Sequence, residues 1–134
     1  MKKVTFVLLC ALFLLSLCAC GGKIDGAVTH NVDSSRYSQA DIADAIDVIK
    51  KEFRASWRGC TLTEISYAGD DRTDAHQSWT DRYDADEVIV LTSSFDVDHT
   101  GGDGSLNPNS TYRNWMWILV RKAGGGWEHV DHGY

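Results

Sequence analysis

The chain has 134 residues and a formal net charge of −6, with 13 Lys and Arg against 19 Asp and Glu. That length suits one ordinary domain with a core of its own. The acidic balance is a poor match for nucleic acid or for an anionic lipid face.

Lys2 and Lys3 precede a predominantly apolar stretch of 16 residues, Val4 to Ala19, which ends at Cys20-Gly21-Gly22. A membrane-spanning helix needs about 20 apolar residues, so this stretch reads as a secretory signal. Leu17-Cys18-Ala19-Cys20 resembles the lipobox of bacterial lipoproteins. The resemblance implies that Cys20 receives a diacylglycerol thioether and becomes the mature N-terminus, outside the cytoplasm. Two or three acyl chains hold a protein stably at a bilayer where one does not. The expected organisation is a signal peptide over 1–19, a lipidated N-terminus and flexible tether over 20–37, and a single domain over 38–134. Losing Lys2 and Lys3 leaves 11 basic against 19 acidic residues, a net charge of −8. The net charge is then a poor match for the membrane, and the lipid is expected to hold the protein there. Of the four cysteines, Cys10 and Cys18 leave with the signal and Cys20 is modified. Cys60 remains alone, cannot form an internal disulfide, and is expected to be a buried, small apolar residue.

Residues 21–36, GGKIDGAVTHNVDSSR, show no sustained hydrophobic period and read as slack chain, with His30 solvated. Ser38 is a good N-cap with Asp41 three residues on. Ile42, Ile46, Ile49, Phe53 and Trp57 then recur at helical spacing, and Gly59 can close the helix. Asp41, Asp44 and Asp47 precede Lys50, Lys51, Arg54 and Arg58, the order that suits the helix dipole. CTLTEISY, residues 60–67, reads as a strand. Thr73 to Tyr83 carries a possible N-cap and Ala75, Trp79 and Tyr83 at four-residue spacing, predicting a short second helix in which Trp79 covers part of the domain. EVIVLTSSFDV (87–97), NWMWILVRK (114–122) and WEHVDHGY (127–134) predict three more strands forming a meander, the last two joined by Gly124-Gly125-Gly126.

One amphipathic helix and four strands imply an α+β domain in which the helix packs on a curved, mainly antiparallel sheet. This pattern resembles the cystatin-like α+β roll of the nuclear transport factor two-like superfamily. GGDGSLNPNSTYRNWMWILVR, with its glycine turn and terminal aromatic strand, is similar to a family of small Firmicute lipoproteins, a likeness covering about residues 38–134. The likeness implies a fold and a location but no activity.

Four groups of residues could carry chemistry. Asp96, Asp98, Thr100 and Gly101 match the start of an EF-hand loop, but Asn107 stands where the bidentate glutamate is needed and strands flank it. A different calcium site using Asp96, Asp98 and Asp103 is the alternative to an ordinary strand connection. His129 and Asp131, two apart on a strand, are expected to share one face with Trp127, while His132 points the other way. The superfamily resemblance implies that such a pair can act as acid and base in the hollow of the roll. Trp57, Trp115, Trp117 and Trp127 could converge on a ligand or simply fill the core. No nucleophile motif, phosphate loop or paired-cysteine motif points to a cofactor. The expectation is a lipid-anchored module that binds a protein, peptide or small ligand and no nucleic acid, with a His129/Asp131 enzyme as the alternative.

Overall fold

A computed structural model describes residues 21–134. The proposed signal over 1–19 and the lipidated Cys20 lie outside the described residues. Among the described residues the architecture is α+β, with three helices and one open, four-stranded antiparallel sheet in the order β1-β2-β3-β4. In chain order, helix α1 spans Gln39–Ser56 and strand β1 Cys60–Tyr67. Short helices α2 (Asp70–Asp74) and α3 (Ser78–Arg82) follow, then strands β2 (Glu87–Val97), β3 (Thr111–Arg121) and β4 (Glu128–Gly133). No described helix is long and apolar enough to cross a membrane.

Helix α1 begins where Ser38 accepts a hydrogen bond from the Asp41 amide at 3.1 Å, satisfying one of the unpaired amides of the first turn. Ile42, Ala45, Ile46, Ile49 and Phe53 are buried along one face. They meet Leu62, Ile65, Tyr67, Ile89, Leu91, Phe95, Trp117 and Leu119 from the inner face of the sheet in one continuous core. A large apolar side chain in such a core is worth about 2–3 kcal/mol in transfer from water.

The outer face carries a smaller cluster of Val88, Val90, Ile118 and Val120, against which Trp79 packs. The expected single helix from Thr73 to Tyr83 is two short ones. Thr73 is not a cap: it is buried within α2, and its hydroxyl accepts the Val90 amide at 3.2 Å, pinning the helix to β2. The chain resets through His76 and Gln77 before Trp79, which stacks on Tyr83 with ring centroids 5.9 Å apart.

Residues 21–37 are not a free tether in this structure. Lys23 and Val28 form parallel bridges to Thr61 and Glu64 on the outer edge of β1. The Lys23 amide donates to Cys60 O at 2.9 Å, and the Leu62 amide donates back to Lys23 O at 2.8 Å. Further on, the Asp70 carboxylate accepts from the hydroxyls of Ser34 and Tyr67 and from the Ser35 amide, at 2.6–2.9 Å. Those bonds hold the Asp70 carboxyl well below its usual range, the Ser34 hydroxyl foremost. An edge strand offers unpaired backbone groups, and a chain without hydrophobic periodicity can satisfy them as well as an amphipathic one. His30 stays largely exposed and faces Glu64 at 2.6 Å.

Candidate functional site

Three register shifts shape the inner face. They fall between Leu62 and Glu64 in β1, between Ser93 and Phe95 in β2, and beside Ile118 where β4 pairs with β3. A bulge inserts an unpaired residue, bends its strand and re-aims the side chains beyond it. Opposite the second shift, Asn114 adopts a φ of +57°, which lets Tyr112 join Trp115 and Trp117 on the inner face.

In β4 the consequence is chemical. Leu119 pairs with His129, Ile118 with Asp131, and Trp117 with His132, so Val130 is the extra residue. His129 therefore shares the inner face with His132, and Asp131 follows Ile118 to the outer face. The expected His129/Asp131 pair is not formed, because strict alternation fails at the bulge. His129 instead stands 3.3 Å from His132, ring nitrogen to ring nitrogen, and both rings lie about 5.3 Å from Trp117. Burial, then the neighbouring His132, holds the His129 pKa below the ordinary histidine value.

The C-terminal end of α1 closes over this group. Trp57 is the C-cap residue of the helix. Its ring contacts Trp115 at 5.9 Å, Trp117 at 5.0 Å and His132 at 5.1 Å, all tilted or edge-on. Between this aromatic wall and the loop after β2 lies a cavity of about 250 Å³. Trp57, Trp115, His132 and Leu106 supply its rings and apolar surface, and Arg58, Ser105 and Asp103 its polar edge. Cys60 also lines it, buried, with burial pushing its thiol up to about 11. At that value it is no nucleophile. Trp115 Nε1 is sealed from solvent and has no hydrogen-bond partner among the described residues. A sealed, unpaired donor costs about 1–3 kcal/mol and is uncommon.

The four tryptophans proposed to converge divide into separate roles. Trp57 and Trp115 line the cavity. Trp117 is fully buried beneath them, its Nε1 donating to Ser93 Oγ at 2.7 Å. Trp127 does not join them. It sits by the first turn of α1, donates to Asp41 O at 3.1 Å, and packs edge-on against Tyr37 at 5.5 Å.

The loop between β2 and β3 is held by its own backbone. The Leu106 amide donates to Gly101 O at 3.2 Å and the Asn109 amide to Asp98 O at 2.9 Å. Gly101 has a φ of +73°, the left-handed region, with Leu106 O where a side chain would stand. The three carboxylates considered for calcium do not face one centre. Asp98 accepts from the Thr100 amide and hydroxyl, Asp103 from those of Ser105, and Asp96 from the Thr111 hydroxyl. Asp103 lines the aromatic cavity, while Asp96 and Asp98 line a neighbouring cleft with Gly21 and Lys23. Among the described residues no three metal-ligating side chains cluster.

Sequence reading missed His132, Arg58 and Ser105 as parts of the cavity. His132 was misplaced by the alternation rule, and Arg58 and Ser105 belong to a turn and a loop whose approach to Trp115 has no local signature. No protein-family model, no curated protein and no solved structure matches this chain.

Proposed function

We propose that this protein is a lipid-anchored extracytoplasmic binding module whose ligand occupies the cavity between Trp57 and Trp115. The observation that carries the reading is an aromatic-walled cavity of about 250 Å³ with Trp57, Trp115 and His132 on one side and Arg58, Asp103 and Ser105 at its polar edge. Binding sites combine apolar walls with a few placed polar groups, commonly in volumes of roughly 300–1,000 Å³. The smaller volume here suits a ligand of one ring. Trp57 and Trp115 offer faces to a flat apolar surface. Arg58, which has no carboxylate within ion-pair distance among the described residues, suits an anionic or acceptor substituent.

The location rests on the charged, apolar and lipobox segments that end at Cys20. We assign the fold to the cystatin-like roll and the chain to the small Firmicute lipoproteins it resembles. The three register shifts support the roll, since a bulge bends the strand that carries it.

A ligand screen followed by indole N–H signals in NMR tests the binding reading. Hits are expected to move the Trp57 and Trp115 signals and leave that of Trp79, on the opposite face, in place. Ser105→Trp, which fills the cavity from its loop, is expected to abolish binding without lowering the melting temperature. Hits that move only Trp79, or that bind Ser105→Trp as well as the parent, would overturn the reading.

A further inference from the structure

We propose that the end of the domain carrying Gly21, Gly22, Arg54 and Arg58 rests directly on the lipid bilayer, fixing the domain in one orientation with the aromatic cavity beside the headgroups. The inference rests on the reading of Cys20 as the lipidated residue.

It begins with two glycines that a sequence reader takes for slack. The Gly22 amide donates to Phe53 O at 3.0 Å, one of the carbonyls at the end of α1. A Cβ on Gly21 would fall 1.5 Å from Arg54 O, and one on Gly22 would fall 2.6 Å from the Phe53 ring. Both residues are therefore seated where no larger residue fits, and Lys23 is already bridged to β1. One trans peptide spans about 3.8 Å between Cα atoms, so whatever residue 20 carries enters beside the end of α1. A free tether of sixteen residues would instead wander over roughly 20–24 Å. Acyl chains at residue 20 reach the hydrocarbon only if this end of the domain lies at the interface.

The charge order of α1 favours the same pose. Asp41, Asp44 and Asp47 occupy its first half, whereas Lys50, Lys51, Arg54 and Arg58 outweigh the single Glu52 in its second half and the turn beyond, so the more basic end faces the phosphates. The loop carboxylates nearby stay charged, Asp98 bonded by Thr100 and Asp103 by Ser105, and Lys23 and Arg58 respectively lie close enough to offset them. Arg58 and Cys60 line both the aromatic cavity and the cleft that contains Gly21. The cavity thus opens next to the anchor. The far end of α1 stands about 27 Å away.

The test uses the lipidated full-length protein in phosphatidylcholine and phosphatidylglycerol vesicles containing a nitroxide-headgroup lipid. A fluorophore is placed at Arg54→Cys or, at the far end, at Lys122→Cys; the native Cys60 is buried and stays unlabelled. Quenching is expected to be several-fold stronger at position 54, and inserting ten Gly and Ser residues between Cys20 and Gly21 is expected to erase the difference while the protein stays on the vesicles. Equal quenching at the two positions with normal vesicle retention would overturn the proposal. An N-terminal peptide whose mass shows no lipid would sink the Cys20 reading itself and this inference with it, a result read separately from the fluorescence.

Discussion

The two ends of α1 each meet a tryptophan, and the two are treated in opposite ways. At the start of the helix, Trp127 donates to Asp41 O, and the Arg121 guanidinium lies 4.1 Å from its ring centroid. Arg121 in turn bonds Glu87 at 2.5 Å and Asp41 at 3.1 Å. Tyr37 completes the group, its hydroxyl donating to Val88 O at 2.6 Å; burial and the nearby Glu87 push that hydroxyl up to about 12. Every polar atom named there has a partner. At the end of the helix, Trp115 and the partly buried Trp57 line a cavity, and the sealed Trp115 Nε1 has no partner among the described residues. An aromatic cluster that closes its hydrogen bonds is holding the fold together, whereas one that lines a cavity has apolar surface to offer a ligand.

The strongest way to break this contrast is Arg121→Ala. It leaves Asp41 and Glu87 without their cation and Trp127 without its stacked partner, and is expected to cost about 2–3 kcal/mol in urea unfolding. A change under about 0.5 kcal/mol would mean that the closed end is not a stabilising network. A paired comparison sharpens it: Trp127→Phe should cost about 1–2 kcal/mol through the lost bond to Asp41 O, while Trp115→Phe should be neutral or stabilising by up to about 1 kcal/mol, because it removes an unpaired donor. If both substitutions destabilise equally, the open end is ordinary core.

The smallest expected effect concerns pH at the open end. His129 faces His132 on its own strand and Glu52 and Lys51 across the groove from α1. Its folded pKa is depressed, so the unfolded chain takes up a proton from about pH 6.5 downward while the folded chain resists it. Stability should therefore fall as pH drops from about 6.5 through the folded value and level off below it. His129→Gln should flatten that slope relative to the parent in denaturant midpoints taken across the range. An unchanged slope would show that His129 titrates alike in both states.

Local information in the sequence was enough for the helix, the four strands and their meander order. The stripe from Ile42 to Phe53 and the run EVIVLTSSFDV state their period within a few turns or pleats, and burial of that period against a single core leaves one arrangement. Three other features were decided by contacts made far along the chain. Gly21 and Gly22 read equally as slack or as close approach, and only the carbonyls at the end of α1, more than 30 residues later, choose between them. Asp131 leaves the face of His129 because β4 must match a β3 that it pairs with through a bulge at Val130. Trp127 departs from Trp57 and Trp115 because its strand begins at the opposite end of the helix. Periodicity is a property of one segment, but register, seating and the pairing of a buried indole are properties of two segments together, and no single stretch of sequence carries them.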